Sequence, residues 1–242
     1  MRRIAALCLA TLPILGLASP LAVGQKDAKP TPTIEEPATE VRFPIELNVV
    51  DKDTRHQLSG MGVRVKKKFF MKFKVYAVGF YLDEAAALPV VRESAAALDV
   101  PKLEQSKEFR KALLSDKFGK TVRLVMVRDV DADTMAEAFE ESLWPRMKER
   151  ATDTKDRTAA KAALDRFRGF FEKEAKEDQV MDFTWLPGGK LYAVVDGKKF
   201  PVVENETLCW ALFDVYLGDD PISDDTKTNI FGSLHKKLHP AK

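Results

Sequence analysis

The chain has 242 residues, with 39 Lys and Arg against 37 Asp and Glu, three His and two Cys. Its length fits one domain beside a short leader, and its formal charge of +2 excludes the strongly basic balance of a nucleic-acid or anionic-surface protein. With one of its two cysteines at position 8, the domain cannot depend on an internal disulfide.

The chain opens with Arg2 and Arg3, an apolar run and then small residues up to Gln25. This order of basic, apolar and small predicts a secretory signal peptide over residues 1–24. Pro13, Gly16 and Pro20 break the run, which is too short for a membrane span. No stable membrane anchor is expected after cleavage, and the mature protein is expected in the periplasm. Losing Arg2 and Arg3 takes the net charge to about zero. Residues 25–40, QKDAKPTPTIEEPATE, have the Pro, Thr and charge content of a disordered tether, leaving 41–242 as a single domain.

Within that domain, 41–50 and 58–66 read as strands around a polar turn, and Lys68 to Leu82 as a long β segment rich in aromatic and branched residues. Residues 101–117 read as helical and 120–130 as a strand. Thr134 and Glu137, after Asp131, have the spacing of a capping box. A further helix is expected over 156–176, with Leu164, Phe167, Phe170 and Phe171 as its apolar stripe. Pro187-Gly188-Gly189 and Asp196-Gly197 punctuate short strands, the second pair being a hairpin signal. Asn205 caps a helix ending at Gly218, and 223–239 gives a last short helix. Two groups of strands separated and followed by helices predict an α+β fold, an antiparallel sheet with helices on one face.

Little in the sequence points to reactive chemistry. His235 and His239 have the i, i+4 spacing of metal ligands, but they sit in a lysine-rich tail with no third ligand. Gly60-Met61-Gly62 lacks the third glycine of a dinucleotide loop. Lys66-Lys67-Lys68 reads as a solvated face, and Cys209, in an apolar helical run, as a small core residue. Neither a metal nor a cofactor is expected.

GMGVR (60–64) with KFFMKFKVYAVGFYLD (68–83), FGKTVRLVMVRDVDADTMAEAFEESL (118–143) and VENETLCWALFDVYLGDDPISDDTK (203–227) together resemble the chalcone isomerase superfamily, in particular its bacterial secreted members and its fatty-acid-binding relatives. The resemblance implies a large antiparallel sheet packed on a layer of helices, with a ligand cleft between them. In the plant isomerases it implies five polar positions around the substrate. Here the arginine falls on Arg64, the threonine on Tyr76, the tyrosine on Met135, the asparagine on Ser142 and the last polar position on Val215. Only the arginine is kept, and two positions have become apolar, so donors for a flavonoid ketone and phenolate are missing.

The remaining pattern is similar to the fatty-acid-binding branch, in which an arginine and a tyrosine at these positions take the ligand carboxylate. A guanidinium fork and a phenol suit that headgroup. Met135, Phe139, Ser142 and Leu143 share one helix face, as do Leu208, Ala211, Leu212 and Val215, and either face could border an acyl chain or pack as core. The expectation is therefore a non-catalytic binder of a fatty acid or similar amphipathic carboxylate, with Arg64, Tyr76, Met135, Phe139, Ser142 and Val215 at the ligand. One alternative is an isomerase on a non-flavonoid substrate, with Arg64 and Tyr76 catalytic. The other is a protein-interaction module without a cavity.

Overall fold

The computed structural model describes residues 31–50, 53–68, 70–95 and 98–240. The predicted signal peptide lies outside the described residues, and so do positions 25–30 of the predicted tether. Residues Thr31–Lys242 form one compact unit.

That unit begins inside the stretch expected to be a disordered tether. Thr33–Glu35 forms strand β1, antiparallel to β2 (Arg42–Pro44). The Glu36 carboxylate, 5% exposed, closes the turn between them by accepting from Thr39 N at 2.8 Å and Ala38 N at 3.2 Å. Composition alone reads these residues as unable to order; local capping and strand pairing supply what composition does not show.

The main sheet runs in the order β10 (Val203–Glu204), β8 (Lys190–Val195), β7 (Val180–Leu186), β6 (Lys120–Met126), β5 (Met71–Leu82), β4 (Arg55–Lys68), β3 (Glu46–Asn48). The short β9 (Lys198–Lys199) pairs with β8, and every pairing is antiparallel. Side chains alternate along it as a pleat demands. Val78, Phe80 and Leu82 of β5, Val122, Leu124 and Met126 of β6, and Phe183 and Trp185 of β7 are buried in the major core. Ala77 and Tyr81 of β5 face the other way, onto Phe43 and Leu47. The turns follow their sequence signals. Asp196 and Gly197 both have positive φ, as a type I′ hairpin requires. The Asp116 carboxylate fixes the Pro187-Gly188-Gly189 turn through Gly188 N at 2.7 Å and Trp185 Nε1 at 2.6 Å.

The helices are α1 (Glu84–Ala95), α2 (Val100–Gln105), α3 (Lys107–Leu113), α4 (Ala132–Arg150), α5 (Thr154–Arg168), α6 (Glu206–Leu217) and α7 (Asp224–Leu238). The α1 helix has no counterpart in the sequence reading, since Pro89 inside it disguises the pattern. Two boundaries also differ. The N-cap of α4 is Asp131, which accepts from Thr134 N at 2.8 Å, so Thr134 lies within the helix and the expected Thr134–Glu137 capping box is not what starts it. The α5 helix stops at Gly169 rather than continuing to 176. Phe170 and Phe171 are buried from the chain beyond it. Gly218 ends α6 as expected but in extended conformation. A Cβ there would come within 2.6 Å of Asp214 O, so steric room is what requires glycine.

The Gly-Met-Gly stretch owes its composition to packing. A Cβ on Gly62 would lie 2.1 Å from Thr226 Oγ1, and one on Gly60 2.5 Å from Ile230 Cα. The two glycines cut a notch in β4 into which α7 fits at backbone distance. Asn229 Oδ1 accepts from Met61 N at 2.9 Å on the same seam. Seating α7 there brings the segment just before it, 218–223, across the sheet next to Arg64.

Candidate functional site

One cavity of about 600 Å³ opens between the sheet and the helices. Its walls come from β4 and β5 (Arg64, Lys66, Phe73, Val75, Tyr76), from α4 (Met135, Ala138, Phe139, Ser142) and from α6 and its continuation (Val215, Tyr216, Ile222). All six residues singled out from the sequence border it. Arg64 and Tyr76, twelve positions apart in the chain, are direct cross-strand partners in the β4–β5 ribbon and so point to the same face. A register irregularity between Arg64 and Val65 re-aims the strand at that point.

Arg64 is half-buried, and its Nη1 donates to Ile222 O at 2.7 Å. A guanidinium has five N–H donors in a planar fork, so this bond orients the group and leaves the others for a ligand. Tyr76 is buried, and its hydroxyl lies 3.2 Å from that of Tyr216, also buried. Burial pushes both phenols above their ordinary range, most strongly Tyr216. Their mutual hydrogen bond works downward on Tyr76, and the Arg64 charge pulls both partly back. Both therefore stay neutral at physiological pH. Whichever hydroxyl donates to the other, the second keeps an O–H free to donate outward.

The remaining wall is largely apolar. Phe139 belongs to an aromatic cluster, stacked on Phe171 at 4.8 Å and edge-on to Phe167 at 5.2 Å and Phe183 at 5.9 Å. Met135 and Val215 are 3% and 4% exposed. The Ser142 hydroxyl is spent on Ala138 O at 2.8 Å, so it offers the cavity an oxygen and no free proton. Of the two helix faces considered, only part of each borders the space. Leu143, Leu208, Ala211 and Leu212 are core, the last three because α6 lies under the sheet along nearly its whole length.

Four carboxylates stand at the rim: Asp129, Asp131, Glu141 and Glu174. Three have partners of their own. Asp131 caps α4, Asp129 accepts from Lys176 Nζ at 2.9 Å and Glu177 N at 2.8 Å, and Glu174 pairs with Lys176 at 2.6 Å. The Arg128 guanidinium lies 4.9 Å over the Phe73 ring at the same rim. The α4–α6 side is braced by Arg146, which bonds Asp214 at 3.1 Å and Ser142 O at 2.8 Å. The structure thus offers a fixed cation, a neutral phenol pair and a long apolar wall in one space.

A sequence profile described as chalcone isomerase like matches residues 54–231. The chain belongs to that family. Among curated proteins it is 28% identical over 200 residues to fatty-acid-binding protein 2 of Arabidopsis thaliana, an alignment covering 81% of this chain and 49% of the relative. The chain thus spans about half the length of that protein. It is 26% identical over 193 residues to a chalcone–flavanone isomerase of Oryza sativa subsp. japonica, covering 76% and 81% of the two chains. A crystal structure of an Arabidopsis thaliana fatty-acid binding protein superposes with a TM-score of 0.71 at 23% identity, covering 86% of this chain and 99% of the other. The chalcone-isomerase-like α+β fold, an antiparallel sheet against helices, is therefore shared.

Tyr216 borders the cavity but was not picked out by sequence reasoning. It follows Val215 and continues the same helix face, four residues after Leu212 and eight after Leu208. A phenol in an otherwise apolar helix was the available signal, because a buried tyrosine hydroxyl needs a partner. Lys66, Phe73 and Arg128 at the rim were likewise not assigned to the site.

Proposed function

We propose that the protein binds a fatty acid or a similar amphipathic carboxylate and performs no chemistry on it. The observation that carries this reading is the single cavity wall joining Arg64, Tyr76 and Tyr216 to the Met135, Phe139 and Val215 surface. A volume of about 600 Å³ falls within the roughly 300–1,000 Å³ of sites that enclose a small ligand. Arg64 takes the carboxylate through its free N–H groups, and the phenol pair adds a neutral donor that does not compete as an anion. The acyl chain then lies along the apolar wall, where each buried CH₂ contributes about 0.8 kcal/mol. Resemblance to a fatty-acid-binding protein in sequence supports the same reading. The basic, apolar and small order of residues 2–24 supports a site of action beyond the inner membrane, in the periplasm.

The test is lipid extraction with mass spectrometry on the purified protein, together with titration of a fluorescent fatty acid. Charge-assisted bonds contribute about 1.5–3 kcal/mol each. Arg64→Ala is therefore expected to weaken binding by about ten- to a hundredfold, and Tyr216→Phe by a few-fold. Equal affinity in wild type and Arg64→Ala, with the fold intact by circular dichroism, would remove Arg64 from the site. Turnover of a small phenolic enone by the wild type, lost in Arg64→Ala, would favour the isomerase alternative.

A further inference from the structure

Past the cavity, the β4–β5 ribbon continues to a hairpin tip at which Phe70 is fully exposed and Met71 60% exposed. From Thr54 to Leu82 the chain contains no Asp or Glu, whereas Arg64, Lys66, Lys67, Lys68, Lys72 and Lys74 fall within the eleven residues 64–74. A net charge near zero conceals this local concentration. Lys66, Lys67 and Lys72 are exposed, and among the described residues no carboxylate forms an ion pair with any of them. Lys74 is committed to Ala38 O. Lys67 and Lys72 are moreover direct cross-strand partners, an arrangement of like charges that destabilises a ribbon and that an external anion relieves.

These features define the occupant. A protruding phenylalanine and methionine need an apolar medium, and the lysines around them need a dense anionic layer. A lipid bilayer with anionic headgroups meets both needs without a complementary pocket. The root of the tip is also the rim of the cavity, since Lys66 and Phe73, themselves cross-strand partners, line both.

We infer that the β4–β5 hairpin docks reversibly on an anionic bilayer, with Phe70 and Met71 entering the headgroup region, Lys66, Lys67 and Lys72 against the lipid phosphates, and the cavity rim beside the membrane. The inference goes beyond the fatty-acid reading and needs no bound fatty acid.

Vesicle sedimentation tests it, using the compact unit Thr31–Lys242 so that the apolar leader cannot contribute. Vesicles of phosphatidylcholine alone are compared with vesicles containing one-third phosphatidylglycerol, at low and high salt. The wild type binds the anionic vesicles and is released by salt. An exposed lysine near such a surface is worth about 1 kcal/mol, a factor of about five, so the pair Lys67→Ala and Lys72→Ala lowers partitioning roughly 25-fold. Phe70→Ser with Met71→Ser abolishes it, with the thermal midpoint unchanged. The inference is overturned by a wild type that ignores anionic vesicles, by variants that bind as well as wild type, or by retention on polyglutamate without vesicle binding. Fatty-acid affinity measured in parallel separates the two readings: vesicle docking with no fatty-acid binding refutes only the cavity proposal.

Discussion

Lowering the pH from 7 to 5 should remove about 2 kcal/mol of stability through one residue, His56. The imidazole is completely buried. Its Nδ1 lies 2.8 Å from Thr121 Oγ1, which lies 2.8 Å from Thr184 Oγ1, so a polar chain links β4, β6 and β7. Its Nε2 has no partner among the described residues and lies against Gly119, where a Cβ would come within 2.5 Å. Burial pushes the imidazole from 6.5 down to about 4. Asp83 pulls it partly back and the Lys120 charge pushes it further down.

Because the folded protein holds this proton more weakly than the unfolded chain, falling pH favours unfolding. The neutral His56 contribution is complete above pH 6.5 and drains away as pH falls toward 4. Relative to a non-titrating side chain, the loss is about 0.2 kcal/mol at pH 7 and about 2 kcal/mol at pH 5. Urea unfolding at pH 7, 6 and 5, for wild type and His56→Asn, isolates the effect, since carboxylates titrating in that range are common to both proteins. The difference in their free energies should change with a slope approaching one proton, about 1.4 kcal/mol per pH unit. Parallel lines would show that His56 is hydrated or charged in the folded protein.

Two further perturbations probe the frame and the space. Gly62→Ala forces a Cβ to 2.1 Å from Thr226 Oγ1 and 2.9 Å from Thr226 Cα, so α7 must move off β4. A loss of about 1–3 kcal/mol should appear in the urea midpoint, together with weaker fatty-acid binding as Ile222 O shifts from Arg64; an unchanged midpoint would dismiss the notch. Ala138→Trp places an indole in the half-buried α4 wall of the cavity and leaves the residues Arg64, Tyr76 and Tyr216 themselves unaltered. Affinity should fall for long acyl chains before short ones, by roughly 0.8 kcal/mol for each CH₂ displaced, with little change in melting temperature. Equal losses for all chain lengths would mean that the chain does not run along α4.

Much of this could be read from the residues themselves because the signals are local. The run of branched and apolar residues marked β6, Asp196-Gly197 marked the turn between β8 and β9, and Asn205 marked the start of α6, since each pattern is complete within a few residues. Where a local rule had two readings, sequence chose less well. Asp131 and Thr134 both qualify as caps, Phe170 and Phe171 continue a helical stripe past the glycine that ends the helix, and a Pro- and Thr-rich stretch hides the β1–β2 pair.

The sequence by itself determined the family and the antiparallel sheet with its helices, because period, turn residues and family motifs are complete within short stretches. That Arg64 and Tyr76 are cross-strand partners came from the β4–β5 register, which shifts at Leu58/Gly60 and Arg64/Val65. Only the tertiary structure decided that Gly60 and Gly62 exist to admit α7, that Ile222 O orients Arg64, and that Tyr216 completes the phenol pair. Each of those contacts joins residues about 140 to 170 positions apart. Which side chains meet over such separations depends on how whole elements pack, and no short pattern encodes that.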